Sequence, residues 1–200
     1  MLFCEYDLNV FFDKDNYDVF NIGDISLPTG EIVVCDAVCN FGIKDNMIKP
    51  FINKVDQGNY PIFISVIKNG SNKGKYAAIE IEFNKEIPVS FEVCIKYQDV
   101  LKDLKPNEKY GFNIESGLVC ICDAQVEALY EEHIEQWRIK SPDFISDKSK
   151  WIMWNLPETE FMMPIISSGF GNGYYSVFWG LDKSDDVCSL IIQFLEINED

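Results

Sequence analysis

Two aspartates stand at matching places in two matching nonapeptides. Thr29-Gly30-Glu31-Ile32-Val33-Val34-Cys35-Asp36-Ala37 aligns without gaps on Ser116-Gly117-Leu118-Val119-Cys120-Ile121-Cys122-Asp123-Ala124. Paired carboxylates can divide acid and base roles, or share a cation, when their environments differ. Asp36 and Asp123, with Glu115 next to the second copy, are therefore the first candidates for chemistry. Each aspartate also closes an apolar run. Asp123 precedes Ala-Gln-Val-Glu, where an N-cap would accept the free amides of a helix start, and Asp36 can cap a turn in the same way. The residue pattern leaves the site and the cap open as alternatives.

The second candidate is the segment Ser167-Ser168-Gly169-Phe170-Gly171-Asn172-Gly173-Tyr174-Tyr175. Its alternating glycines resemble a phosphate loop only superficially, because a strand follows instead of a helix N-terminus and no Lys-Ser/Thr pair is present. One reading is a sharp turn in which glycine permits positive φ or close packing under aromatic rings. The other is a ligand loop, with Ser168, Gly169, Gly171, Asn172 and Gly173 lining a pocket beside Tyr175 and Trp179.

Other catalytic residue types are scarce. The chain has one histidine, His133, and one arginine, Arg138. His133 falls on an apolar helical face, and the nucleophile-elbow pattern G-x-S-x-G is absent, so serine-hydrolase chemistry is not expected. The cysteines stand at 4, 35, 39, 94, 120, 122 and 188. Cys35, Cys39, Cys120 and Cys122 could supply four thiolates to a zinc ion, but their C-x-x-x-C and C-x-C spacings differ from C-x-x-C knuckles. Buried free thiols alternating with Val119 and Ile121 on a strand are the simpler reading, and no metal or cofactor is expected.

The elements that must position these residues read mostly as β. Period-2 or continuous apolar runs predict strands over 31–36, 61–68, 76–84, 118–122, 164–167, 174–180 and 187–195. Polar tips between 67 and 76 and between 180 and 187 predict two hairpins. Val126, Leu129, Tyr130, His133, Ile134 and Trp137 recur at helical spacing and predict an amphipathic helix over 124–140. A shorter helix is expected over 98–104, with long loops over 40–58 and 140–163. The nonapeptide match continues weakly in Gly58-Asn59-Tyr60-Pro61 against Gly173-Tyr174-Tyr175-Ser176, each followed by a hairpin tip and a strand ending in Phe83 or Phe194. The expectation is an α+β fold, mostly antiparallel β in sandwich-like or curled sheets, with one main helix. A pseudo-twofold repeat of halves 25–90 and 112–195 is expected within a single domain over 1–200.

Composition narrows the function classes. The 200 residues are 47% hydrophobic and 25% charged, which suits a globular chain with a sizeable core. With 17 Lys+Arg against 33 Asp+Glu, the formal net charge is −16. Such a surface repels phosphate backbones and anionic membranes, so neither nucleic acid nor a membrane is an expected partner. No apolar stretch reaches the length of a bilayer span, and Glu5 and Asp7 stand where a signal peptide would be basic. A cytoplasmic location with reduced thiols is expected.

Several segments together resemble the domain of unknown function 4241 family, which is found mostly in bacteria. They are Gly23-Asp24-Ile25-Ser26-Leu27-Pro28-Thr29-Gly30 running on to Cys35-Asp36, then Gly58-Asn59-Tyr60-Pro61, Tyr110-Gly111-Phe112-Asn113-Ile114-Glu115-Ser116-Gly117, the loop 167–175 and Trp179-Gly180. The chain departs from the family pattern at Ala37, where Pro is usual, and at Glu115 and Asn172, where Asp is common. Phe170 also stands where Trp is frequent. The resemblance implies a β-rich unit and assigns no activity.

Two function classes follow. The first is a non-enzymatic binding protein, immunity-like or regulatory, whose acidic surface recognises a basic protein partner. The alternative is a small-ligand-binding or hydrolytic domain with a pocket formed by loop 167–175 and Asp36 or Asp123. Self-assembly through paired sheets is a third possibility that the residues leave open.

Overall fold

The computed structural model describes residues 2–40, 48–97, 109–137 and 151–197, the side chains of 133–137 excepted. The fold is α+β and mostly antiparallel. A 3-10 turn, Leu8–Phe12, precedes β1 (Tyr17–Leu27), β2 (Ile32–Asp36), β3 (Gly58–Ile67), β4 (Tyr76–Glu82), β5 (Ser90–Val93), β6 (Phe112–Ile114) and β7 (Leu118–Asp123). The helix α1 (Ala124–Trp137) follows, then β8 (Trp151–Asn155), β9 (Met162–Ser167), β10 (Gly173–Leu181) and β11 (Val187–Gln193).

Two open sheets result. The larger has the order β1-β3-β4-β11-β10-β5, with β6 also pairing β10, and the smaller has the order β2-β7-β9-β8. Both expected hairpins are present, β3 with β4 and β10 with β11. The sheets pack face to face. Val34, Val119, Ile121 and Ile166 of the small sheet share one buried cluster with Ile62, Ile64, Ile79, Ile81, Leu190 and Ile192 of the large one.

Alternation along the strands explains the outer layers. Val33, Cys35, Cys120 and Cys122 point away from the large sheet and are covered by Val126 and Tyr130 of α1. On the far side of the large sheet, Ala78, Phe178 and Ile191 are covered by Leu8 and Phe11 of the 3-10 turn. Every residue of β2 and β7 is thus buried. This is why the two read as continuous apolar runs without a polar face.

Several expectations need correction. β1 is an eleven-residue strand where none was expected, because a register shift between Asn21 and Gly23 breaks the alternation by which a strand is recognised. β8 and the start of β9 lie within 140–163, where a loop was expected. The short run Trp-Ile-Met-Trp-Asn is held as a strand by pairing with β9. β3 likewise begins at Gly58, inside the expected loop 40–58. β5 and β6 are too short for any periodicity signal. The expected helix over 98–104 and the end of the helix beyond 137 lie outside the described residues, as does the side chain of His133.

Candidate functional site

Asp36 and Asp123 are both completely buried. They sit at opposite ends of the β2–β7 ladder, in which Asp36 faces Val119 and Asp123 faces Ile32. Each aspartate holds the residue that opens the other strand. Asp36 Oδ1 accepts from the Ser116 hydroxyl at 2.8 Å, and its Oδ2 accepts from the Glu115 and Ser116 amides at 2.8 and 2.7 Å. The Val38 and Cys39 amides complete the set, both at 2.8 Å to Oδ1. Asp123 does the reverse. It takes the Thr29 hydroxyl at 2.7 Å on Oδ1 and the Thr29 amide at 2.9 Å on Oδ2, while the Gln125 amide at 2.8 Å caps α1.

The surroundings of the two clasps also correspond. The Glu31 and Leu118 amides donate back to the Thr29 and Ser116 hydroxyls. The Ala37 amide donates to Leu118 O, and the Ala124 amide donates to Glu31 O. The Val34–Ile121 pair, at the middle of the ladder, joins residues that occupy the same position in the two nonapeptides. Gly30 has φ +73, and a Cβ there would lie 1.9 Å from the Val55 carbonyl oxygen, so the entry to β2 admits only glycine.

This geometry separates the pair that the sequence offered as a joint site. Asp36 and Asp123 are buried at opposite ends of the ladder, where five donors engage the first and three the second, all of them backbone amides or hydroxyls. Burial works to raise the Asp36 pKa, but the amides of Ser116, Cys39 and Val38 and the Ser116 hydroxyl outweigh it and hold the carboxyl below its usual range. A carboxylate kept ionised by five donors is a strong structural acceptor and a poor general acid.

The glycine loop is likewise turned in upon itself. Ser168 is buried and donates to Gly171 O at 2.6 Å, to which the Tyr175 hydroxyl also donates at 2.9 Å. Gly169 has φ +73, and a Cβ there would come within 2.7 Å of the Tyr76 amide nitrogen. Gly173 lies against the Tyr175 ring. Gly171 and Asn172 are exposed, and the Lys75 ammonium stands 4.7 Å from the centre of the Phe170 ring. Gly117 packs beside Gly171, so this loop adjoins the Asp36 clasp. Glu115 contributes its amide to the clasp, while its exposed carboxylate accepts only from the Asn113 amide group among the described residues. Trp179 lies apart from the loop, buried in the core between Phe51 and Phe83.

The cysteines Cys35, Cys120 and Cys122 share the cluster under α1, and burial pushes the Cys120 thiol well up, reinforced by its two thiol neighbours. All seven cysteines are unbridged. Among the described residues, no group of three or more His, Cys, Asp or Glu side chains is arranged to hold a metal ion.

Thr29 and Ser116 are the residues that inspection for chemistry passed over, although both open the nonapeptides. A second omission is a cleft of about 520 Å³ where Asp56 and Tyr60 meet Phe83, Asp185 and Asp186. Its sequence signal was the match of Tyr60 to Tyr175. The Tyr60 hydroxyl donates to Asp56 O four residues back, as Tyr175 does to Gly171 O. Tyr60 meets Phe83, and Tyr175 meets Phe194, with the same centroid separation of 5.2 Å and the same interplanar angle of 87°.

No curated protein and no solved structure matches the chain. The family model described as a protein of unknown function, DUF4241, matches residues 25–192, which takes in both nonapeptides, both tyrosines and the glycine loop, and the chain belongs to that family.

Proposed function

We propose that this protein is a non-enzymatic binding protein that recognises a basic protein partner through its acidic surface. The observation that carries the reading is the net charge of −16 combined with the burial of Asp36 and Asp123. The carboxylates best placed by sequence for catalysis serve as internal hydrogen-bond acceptors, and the excess of negative charge is left to the surface. Complementary fields of this kind speed association and suppress wrong partners. Regulation or neutralisation of a basic protein fits that physics in a cytoplasmic setting.

The reading treats the chain as one folding unit of two halves, 25–90 and 112–195, related by a pseudo-twofold axis through the Val34–Ile121 pair. The reciprocal clasps and the duplicated Tyr–Phe contacts support this. A hydrolytic role for the aspartates is the weaker alternative, since both are completely buried and engaged by internal donors.

The experiment is cross-linked capture from the source cells, followed by reconstitution with the purified basic partner. Affinity should fall at least about tenfold between 0.05 and 0.5 M salt, as expected for interactions screened beyond a Debye length. Reconstituted binding that ignores salt, or capture of acidic and neutral proteins only, overturns the reading.

A further inference from the structure

The cleft at the tip of the β10–β11 hairpin carries the inference furthest. Asp56, Asp185 and Asp186 line it together with the half-buried rings of Tyr60 and Phe83. Among the described residues one cation lines it, Lys54, and that ammonium is held by Glu31 at 2.5 Å. None of the three aspartates has an ion-pair partner among the described residues. The Tyr60 hydroxyl donates to Asp56 O at 2.7 Å, and the Tyr60 pKa is raised by burial and then by the Asp56 charge.

The molecule contains its own counterpart of this place. At the other end, the Tyr175–Phe194 pair repeats the Tyr60–Phe83 geometry, and the facing β3–β4 hairpin tip lays Lys75 over the Phe170 ring. Lys75 immediately precedes β4, as Asp186 immediately precedes β11. Where one end carries an internal cation on an aromatic ring, the corresponding tip at the other end carries Asp186, next to Asp185 and an open cleft.

Resting on the reading of a basic partner, we propose that this cleft receives an arginine side chain of that partner. A planar guanidinium can lie on the face of Tyr60 or Phe83 while its fork of donors reaches the neighbouring carboxylates. A cation without that fork, such as lysine, gains the charge but not the paired hydrogen bonds. The cleft volume accommodates the whole side chain with water around it.

The test uses the full chain and N-acetylarginine methylamide, with the uncharged citrulline analogue and the lysine analogue as comparisons, followed by the ring resonances of Tyr60 and Phe83. Arginine should saturate with a dissociation constant on the order of millimolar, as for a single side-chain contact. Citrulline and lysine should bind at least about tenfold and about threefold more weakly, respectively. The double variant Asp185→Asn/Asp186→Asn should weaken arginine binding at least about fivefold with an unchanged melting temperature. Both positions are exposed, and asparagine tolerates the positive φ of 63 at Asp185. Equal binding of citrulline, ring resonances that do not move, or an unaffected double variant overturns the proposal. A captured basic partner that binds the double variant as well as wild type sinks the cleft and leaves the general reading intact. Arginine binding in the cleft with no salt-sensitive basic partner does the opposite.

Discussion

At the residue scale, Asp36 and Asp123 tie the two matching nonapeptides together through two internal clasps. As a plain N-cap, Asp123 would be worth about 1 kcal/mol. Its additional hold on the Thr29 amide and hydroxyl raises the expected cost of Asp123→Ala to about 2–3 kcal/mol by denaturant melts, because buried donors are left unmatched. Asp36→Asn should cost about 3 kcal/mol, since the amide nitrogen only donates and would face donors that a carboxylate oxygen accepts. The Asp36 carboxyl is held below its usual pKa, so its contribution is present above the unfolded value near 3.8 and is lost as pH falls through the folded one. The variant should accordingly show a flatter stability profile than wild type below about pH 4. Glu80 runs the other way. Burial, with the Glu82 charge behind it, pushes its carboxyl up to about 7. A raised acid pKa leaves no penalty below the unfolded value of 4.5, and the penalty grows as pH rises to about 7, reaching about 3 kcal/mol. Glu80→Gln should therefore remove a decline in stability between pH 4.5 and 7, measured by urea midpoints across that range.

At the element scale, the glycine-rich loop is a turn whose backbone packs against the strand that begins at Tyr76. Alanine at 169 would combine a positive φ with a 2.7 Å approach to the Tyr76 backbone, whereas alanine at Gly70, with φ +79, meets nothing within 4 Å. Gly169→Ala should destabilise by about 3 kcal/mol and Gly70→Ala by about 1 kcal/mol, compared by thermal melts. Equal costs would mean that close packing contributes nothing at 169. The strands themselves divide by legibility. β2 and β7 are apolar runs up to their closing aspartates, and β4 and β11 are β-type runs broken only by Glu80 and Ser189 before their ends, so all four were readable. β1 was not, because its bulge at Asn21 and Gly23 breaks the period, and β8 was not, because its sequence shows no alternation between a buried and a solvent face.

At the scale of the whole molecule, 33 acids against 17 bases make self-repulsion a standing cost of the compact state. Sodium chloride raised from 0.02 to 0.5 M should increase the melting temperature by several degrees, since exposed charges beyond a Debye length are screened. The same salt should weaken association with a basic partner. Opposite responses of folding and binding to one variable would tie both to the acidic surface, while a melting temperature indifferent to salt would detach stability from net charge.

The sequence by itself determined the class of the fold, the two hairpins, the start of the helix at Ala124, the acidic balance and the paired nonapeptides. Each is written in local spacing, composition or repetition, which survive without knowledge of what packs where. Only the tertiary structure decided what Asp36 and Asp123 do. An aspartate that ends a strand reads alike as an acid, a ligand or a cap, and the donors that settle the matter, Ser116 for one and Thr29 for the other, lie 80 and 94 residues away in sequence. The seating of the glycine loop, with the Ser168 amide on Gly117 O and Gly169 against Tyr76, and the acidic cleft beside Tyr60 and Phe83 were hidden for the same reason. Their partners are brought together by sheet pairing and by hairpin tips meeting across the fold, and no periodicity records a contact between strands.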